Sequence, residues 1–185
     1  MAKPLPLGRS LTPQEACAAR RALGEWFDSA TGRMLLAEER HQLDQILSTL
    51  FGYYLLQIGQ IARAPLLEAS RIKHRLLTGE AGEGRDWIGD NGRLAVASNA
   101  IDVVVLHHTL EFEPSPHELL REVERILIPE GHLVIVGFNP WSSWGVARLV
   151  RGWGRQAPWR GHFYSIMRIR DWLALCAARN RLRQS

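Results

Sequence analysis

The sequence is short of cysteine and has no long apolar run. Its two cysteines, Cys17 and Cys176, lie far apart and form no redox motif, and this usage predicts a reducing, cytoplasmic setting. No apolar stretch approaches the roughly 18 residues of a membrane-spanning helix, and the first residues have no signal-peptide core. We therefore expect a chain without a membrane span.

Recognisable motifs for metal or phosphate chemistry are also missing. The seven histidines and two cysteines show no zinc-ligand spacing, and neither a phosphate-binding loop nor a serine-nucleophile motif is present. The sequence therefore predicts no metal site. The net charge of +4 is mild, so it permits an anionic partner without requiring one.

What the sequence does contain is enough apolar material for one folded core. A chain of 185 residues that is 46% hydrophobic can bury a substantial core. We expect a helical segment at residues 1–52, made of a tail and two helices, followed by an α/β domain at residues 53–185.

The two N-terminal helices are indicated by capping and spacing. Thr12-Pro13-Gln14-Glu15 is a capping box with proline at the first helical position, and it predicts a helix to about Phe27. A break at Asp28–Gly32 precedes a second predicted helix, from about Met34 to Leu50. These helices either form a lid over a ligand site or pack against the sheet.

The middle of the chain predicts a parallel strand–helix–strand unit. Ile101–Leu106 is a β-branched apolar run typical of a buried strand. Ser115 to Glu118 reads as a capping box that opens a helix over Pro116–Ile128. A Pro-Glu-Gly turn ends that helix, and His132–Phe138 is the next strand. We expect these two strands and an earlier strand at Tyr53–Ile58 to be adjacent and parallel in one sheet.

Further elements are predicted with weaker signals: strands at Arg71–Thr78 and Asp86–Gly89, and helices at Gly145–Gly152 and Met167–Asn180.

Several short motifs of this central region occur together in one known family. They are Gly89-Asp90, Leu94-Ala95-Val96, Ser98-Asn99, Asp102 followed by Val103–Leu106, His108-Thr109-Leu110-Glu111, and Arg125 to Gly131. In this combination the chain resembles the class I S-adenosylmethionine-dependent methyltransferases, type 11 subgroup. The resemblance implies a Rossmann-like three-layer α/β/α sandwich with a mainly parallel sheet. It also implies S-adenosylmethionine as cofactor and an unknown methyl acceptor.

The resemblance places the cofactor loop directly after the first strand, where this chain departs from the family. Gly59 and Gln60 match cofactor-binding positions, but Gln57 replaces the family's acidic residue. Ile61 and Arg63 replace the next two glycines, and a β-branched residue suits close backbone approach poorly. The loop therefore forms either a modified cofactor pocket or part of a non-catalytic, methyltransferase-like binding module.

By the same resemblance, Asp90 and Asn91 follow the third strand where the family binds adenine. Asp-Asn-Gly is also a strong turn sequence, so a purely structural turn is the alternative. The acid that would bind ribose is not evident, and Glu80 is the nearest candidate.

His107 and His108 end the fourth strand, which in the family lies beside the transferred methyl group. Either could act as a base if the acceptor must lose a proton, and His107 is also a cofactor-contact candidate. Because side chains alternate across a strand, we expect only one of the two to face the pocket.

Two expectations concern the C-terminal part. Tryptophans and arginines interleave between Trp141 and Arg160, which favours either inward packing or, less readily, a nucleic-acid surface. The family ends with two more strands for which this sequence has no residues left. The His132–Phe138 strand would then form an apolar edge. We expect either that the α/β domain is truncated and the sequence is a shortened version of a longer protein, or that a partner chain or a second copy covers this edge.

Overall fold

The computed structural model describes residues 11–59, 66–79, 87–88, 93–139 and 161–183. Their helices are α1 (Pro13–Phe27), α2 (Ala30–Leu47), α3 (Pro116–Ile126) and α4 (Ile166–Arg183), with a 3₁₀ helix at Leu110–Phe112. Their strands are β1 (Tyr54–Ile58), β2 (His74–Gly79), β3 (Trp87–Ile88), β4 (Ile101–His107) and β5 (Leu127–Val136). The expected division at residues 52 and 53 stays a prediction.

All described strands form one parallel sheet in the order β3-β2-β1-β4-β5. The predicted adjacency of the strands at Tyr53–Ile58, Ile101–Leu106 and His132–Phe138 is therefore confirmed. Asp102 helps to fix the register, because its carboxylate accepts hydrogen bonds from the backbone N–H groups of Tyr53 and Tyr54. The strand order reverses between β1 and β4, and such a reversal opens a crevice at the carboxyl ends of the two strands.

Helices cover both faces of this sheet, which confirms the predicted three layers. Alternate residues of β1 point to opposite faces. Leu55 packs with Leu43 and Leu47 of α2, whereas Leu56 packs in a second cluster with α3 and Trp172 of α4. The second predicted helix therefore packs against the sheet.

The first helix extends the core beyond the end of the sheet. Leu23 and Phe27 of α1 pack with Phe112 and Phe138, which follow β4 and β5 respectively. The predicted capping box at Thr12 and Glu15 is present in both directions. Thus α1 covers the same end of the sheet at which the crevice lies.

The start of α2 corrects the predicted break at Asp28–Gly32. The helix begins at Ala30 because the Ser29 hydroxyl caps it by accepting from the Gly32 N–H. The chain makes a tight corner there: a Cβ on Gly32 would lie 2.2 Å from the Trp26 carbonyl oxygen. Glycine is therefore required by close backbone approach.

The boundary between α3 and β5 also differs from the prediction. The helix ends at Ile126, and β5 begins at once at Leu127 and runs across Pro129. Between the pairs Ile101–Leu127 and Val103–His132, β4 advances by two residues and β5 by five. The predicted Pro-Glu-Gly turn is thus a bulge inside the strand, where proline's missing N–H costs no ladder bond.

The predicted capping box at Ser115 is wrong, although Pro116 does begin the helix. Ser115 has ψ 68° and makes no side-chain cap hydrogen bond. Thr12 and Ser29, whose side chains do cap, have ψ 157° and 161°. The backbone at Ser115 is therefore outside the extended conformation of the two residues that cap.

A pair of glycine substitutions tests the corner between α1 and α2. Gly32→Ala should lower the free energy of unfolding by about 1–3 kcal/mol, because the new methyl group meets rigid backbone. Gly24→Ala, in the middle of α1, is the control and should raise it by up to about 1 kcal/mol through helix propensity. Urea unfolding measures both, and equal effects would contradict the close-approach explanation.

Candidate functional site

The carboxyl ends of β1 and β4 bring together the residues that the sequence singled out. Gly59 follows β1, His107 ends β4, and His108 and Thr109 come next. This is the switch point of the sheet, where open α/β folds bind ligands. Gln60, Asp90, Asn91 and Glu80 lie outside the described residues, as does the Trp141–Arg160 stretch.

Gly59 has a backbone reason to be glycine. Its φ is +76°, a left-handed conformation, and its N–H donates to the Thr78 carbonyl at 3.0 Å. A Cβ there would lie 2.4 Å from the Thr109 hydroxyl oxygen. That hydroxyl donates to the Ile58 carbonyl at 2.7 Å, so Thr109 ties the end of β1 to the end of β4.

Both histidines face the same carboxylate. The alternation of side chains along a strand had predicted that only one of them would face the pocket. His107 Nε2 lies 3.1 Å from Glu39 Oε2, and His108 Nε2 lies 2.9 Å from Glu39 Oε1. The alternation rule fails because His108 has φ +48° and has already left the strand conformation. The two imidazoles and the α2 carboxylate therefore form one cluster, which we call the Glu39 cluster.

A second carboxylate holds the other side of His108. Glu111 Oε1 lies 3.1 Å from His108 Nδ1 and accepts from the Phe138 N–H at 2.8 Å. A Cβ on Gly137 would come within 2.7 Å of that oxygen, so the glycine leaves room for it. His108 is thus fixed between Glu39 and Glu111, with both ring nitrogens engaged.

Aromatic rings shield the two imidazoles of the cluster from water. Phe27 lies 5.9 Å from the His107 ring and 5.5 Å from the His108 ring, and Phe138 lies 4.3 Å from the latter. Both imidazoles are fully buried, whereas the Glu39 side chain keeps 12% exposure. Electrostatic interactions are strong in so dry a site.

Burial and hydrogen bonding set the protonation states. Burial would raise the pKa of Glu39, but hydrogen bonds from His107 and His108 outweigh it and hold that pKa at about 2. Burial likewise opposes the charged form of His108, yet Glu111 and Glu39 raise its pKa to about 9. For His107 burial prevails and lowers the pKa. At neutral pH His108 is cationic and His107 is neutral.

Several buried polar atoms near the crevice have no partner in the structure's described part. They include both amide atoms of Gln57, which stands where the family has an acid, and the Thr78 hydroxyl at the end of β2. His107 Nδ1 is also without a partner there. Because unmet buried polar groups are costly, these atoms fit a bound polar ligand at this edge of the sheet.

A separate cavity of about 280 Å³ lies between β5 and α4. Its walls are mostly apolar and include Ile135, Phe138 and Tyr164. Arg170 and Glu111 also line it, so the cavity shares one residue with the surroundings of the Glu39 cluster. Its volume is near the lower end of ligand pockets, which run from about 300 to 1,000 Å³.

The loop between β3 and β4 is anchored at its described end. Leu94 N–H donates to Glu122 at 2.8 Å, and the Arg125 guanidinium donates to the carbonyls of Leu94 and Val96. Glu122 and Arg125 both belong to α3. That helix therefore fixes the segment that directly follows the predicted adenine-binding residues.

Sequence reasoning missed Glu39 and gave Glu111 no role. Glu39 lies on α2, four residues before the buried Leu43 and eight before Leu47, so it belongs to the apolar stripe of that helix. An acid in such a stripe is a signal, but only the fold reveals that its partners lie 68 and 69 residues away. Glu111 follows His108 by three residues, and the structure gives that spacing a reason.

A parallel sheet in this order, with helices on both faces and a left-handed glycine at its switch point, is a Rossmann-like α/β/α fold. The family model described as a methyltransferase domain matches residues 73–135, from just before β2 almost to the end of β5. The predicted resemblance is confirmed to this extent: residues 73–135 match a methyltransferase-domain family model, and the sheet that contains them is Rossmann-like.

Three known proteins are similar to this chain, one in sequence and two in fold. The uncharacterized protein YafS of Escherichia coli is 34% identical over 150 residues, which are 81% of this chain but 62% of that protein's length. A SAM-dependent methyltransferase of Thermotoga maritima, described as a possible histamine N-methyltransferase, has a TM-score of 0.60 and 19% identity, with coverage of 83% and 79%. The cyclase SpnF has a TM-score of 0.52 and 17% identity, with coverage of 74% and 54%.

No helix in the described ranges is long and apolar enough to cross a membrane.

The cluster predicts a bell-shaped dependence of stability on pH, measured with a chelator present. The raised pKa of His108, about 9 against 6.5, stabilises the fold below pH 6.5, and this contribution is lost as the pH rises through 9. Because the pKa of His107 is lowered, the fold loses stability as the pH falls below 6.5. The lowered pKa of Glu39 causes a further loss as the pH falls from 4.5 to about 2. The free energy of unfolding should therefore peak near pH 6.5.

On the alkaline side, the free energy of unfolding should fall by roughly 2–3 kcal/mol between pH 6.5 and 9. His108→Asn should abolish this fall, since asparagine tolerates the left-handed backbone but does not titrate. His41→Asn, on the exposed side of α2, should leave this fall in the free energy of unfolding unchanged. Urea unfolding at several pH values measures it. A free energy of unfolding that does not change between pH 6.5 and 9 in the unsubstituted protein would rule out a charged His108.

Proposed function

We propose that this protein is a methyltransferase that uses S-adenosylmethionine to methylate a small acceptor. One arrangement carries the proposal: the left-handed Gly59 at the switch point of a parallel sheet whose β2–β5 region matches the methyltransferase domain. The orphaned amide of Gln57 supports it, since a polar ligand at that strand end would satisfy it.

In this proposal the cofactor supplies an electrophilic methyl group on a sulfonium, and the chain aligns the acceptor and excludes water. Gly59, Gln57 and the predicted residues Gln60, Asp90 and Asn91 would hold the cofactor. The 280 Å³ cavity suits a small, largely apolar acceptor with one polar end, because Glu111 and Arg170 are on its wall.

Of the two predicted catalytic histidines, His107 suits a base better. His108 already carries a proton at neutral pH and both of its ring nitrogens are engaged. His107 is neutral, and its Nδ1 is without a partner among the described residues. An acceptor that must lose a proton could therefore give it to His107, provided that the aromatic cover opens.

The alternative function is a non-catalytic, methyltransferase-like binding module. Two observations favour it: Thr109 fills the space beside Gly59, and neutral Gln57 replaces the acid at the end of β1. The similarity to a cyclase also illustrates that one fold hosts different chemistries.

Calorimetric titration with S-adenosylmethionine and S-adenosylhomocysteine separates the two functions. A methyltransferase should bind both, and Asp90→Ala should weaken binding of S-adenosylhomocysteine by about 1–3 kcal/mol, because a polar ligand group loses its partner. Asp171→Ala, an exposed substitution on α4, is the control and should have no effect. Absence of binding at millimolar ligand would favour the non-catalytic module.

The proposal includes a protein partner, or a second copy, at the edge of the sheet. Among the described residues β4 is the sole strand partner of β5, and much of β5 is only half-buried, not buried as the sequence predicted. The Val136 carbonyl accepts from His108 N–H and so points toward β4. By alternation, the backbone groups of Ile135 and Leu133 point away from β4 and are free to pair with an added strand.

Light scattering at increasing concentration tests this edge. We expect self-association of the unsubstituted protein, weakened by Leu133→Pro because proline removes an outward N–H. Val136→Pro is the matched comparison and should instead unfold the protein, since it removes a bond to β4. A concentration-independent monomer that binds no hydrophobic dye would disprove the edge proposal.

A cytoplasmic location is likewise proposed. It is supported by the low cysteine content, since the two cysteines of the sequence lie far apart and form no redox motif.

A further inference from the structure

We propose that the Glu39 cluster is a binding site for a first-row divalent metal ion, ligated by Glu39, His107 and His108. One ligand atom from each residue can be chosen so that all three lie within 4.8 Å of one another. Two imidazoles and one carboxylate are a donor set that iron, cobalt, nickel and zinc ions accept, whereas magnesium and calcium prefer oxygen alone. This proposal does not rest on methyl transfer, although it gives His107, the candidate base of the proposed function, a second role.

The spacing of the ligand atoms suits a common ion. Each imidazole Nε2 faces one oxygen of the Glu39 carboxylate, at 3.1 Å for His107 and 2.9 Å for His108. Two atoms at such a separation, each about 2.1 Å from a shared ion, subtend an angle of about 90° there. Each nitrogen–oxygen pair therefore has the spacing of two neighbouring ligands of one ion, and the three residues together supply three of the ligands that such an ion needs.

The surroundings of His108 match those of a metal-bound imidazole. A ligating histidine usually gives its other ring N–H to a carboxylate, which fixes the tautomer and the ring plane. Here Glu111 stands 3.1 Å from His108 Nδ1 and is itself held by the Phe138 N–H. With Nδ1–H directed at Glu111, Nε2 is the nitrogen that can take an ion, which would displace the proton that Nε2 carries at neutral pH.

The site also has a route for loading and a structural consequence. Glu39 retains 12% side-chain exposure, so an ion can reach the carboxylate from the solvent side of α2. The ligands come from α2 and from the end of β4, which are far apart in sequence. An ion bound there would link α2 to the end of β4 at the switch point, and would therefore stabilise the native state.

Metal titration of the chelator-treated, full-length protein tests the site. We expect one Zn²⁺ bound per chain, an upward shift of the melting temperature on addition of Zn²⁺, and no comparable effect of Mg²⁺. Co²⁺ should bind with the same stoichiometry, and its X-ray absorption spectrum should show two imidazole ligands. Absence of saturable Zn²⁺ binding, or a Co²⁺ shell without imidazole, would overturn the proposal.

Matched substitutions locate the ion. Glu39→Gln and His108→Asn should each weaken Zn²⁺ binding at least 100-fold, whereas Glu38→Gln and His41→Asn, neighbours on α2, should leave it unchanged. Glu111→Gln should weaken binding by about 10–100-fold, because it removes the outer partner of His108 but no ligand. Unchanged affinity in folded Glu39→Gln protein would overturn the site. If that variant does not fold, the imidazole count on the unsubstituted protein decides.

Discussion

The ion-pair network around Glu39 is the contact on which the arrangement of this end of the fold depends. It joins α2, which precedes the sheet in the chain, to the last residues of β4. Breaking a buried pair by removing one partner typically costs 3–5 kcal/mol, because the other charge stays buried. Phe27 and Phe138 exclude water from the network and so raise that cost further. The N-terminal helices are therefore held both by apolar packing and by specific polar contacts at the switch point.

The polar network also changes how the family motif is understood. In the sequence, His108-Thr109-Leu110-Glu111 matches a family pattern whose histidine is a candidate for chemistry. In the structure, His108 and Glu111 bind each other, and Thr109 joins the ends of β1 and β4. The motif thus builds the junction between the strands, and its contacts leave His107 as the imidazole with an unused nitrogen.

The strands and most of the helix boundaries could be predicted, because apolar periodicity and capping are local signals. The parallel order followed from the strand–helix–strand unit at residues 101–138 and from the rule that such units are right-handed. The predictions failed where tertiary contacts override local pattern. The bulge at Pro129 and the left-handed His108 depend on contacts with a neighbouring strand that no short sequence window contains. The Gly32 corner depends on a close approach to the Trp26 backbone, which periodicity and capping do not reveal. Glu39 was missed for the same reason, since its partners lie in another element.

The anchoring of the Leu94–Ser98 segment by Arg125 has a consequence for binding energetics. A loop that must be ordered when a ligand arrives subtracts its conformational entropy from the affinity. Here Glu122 and Arg125 hold the segment through four hydrogen bonds to Leu94, Val96 and Ser98. The cost of ordering this part of the crevice is therefore met during folding, and α3 serves as a preorganising frame for whatever the neighbouring residues bind.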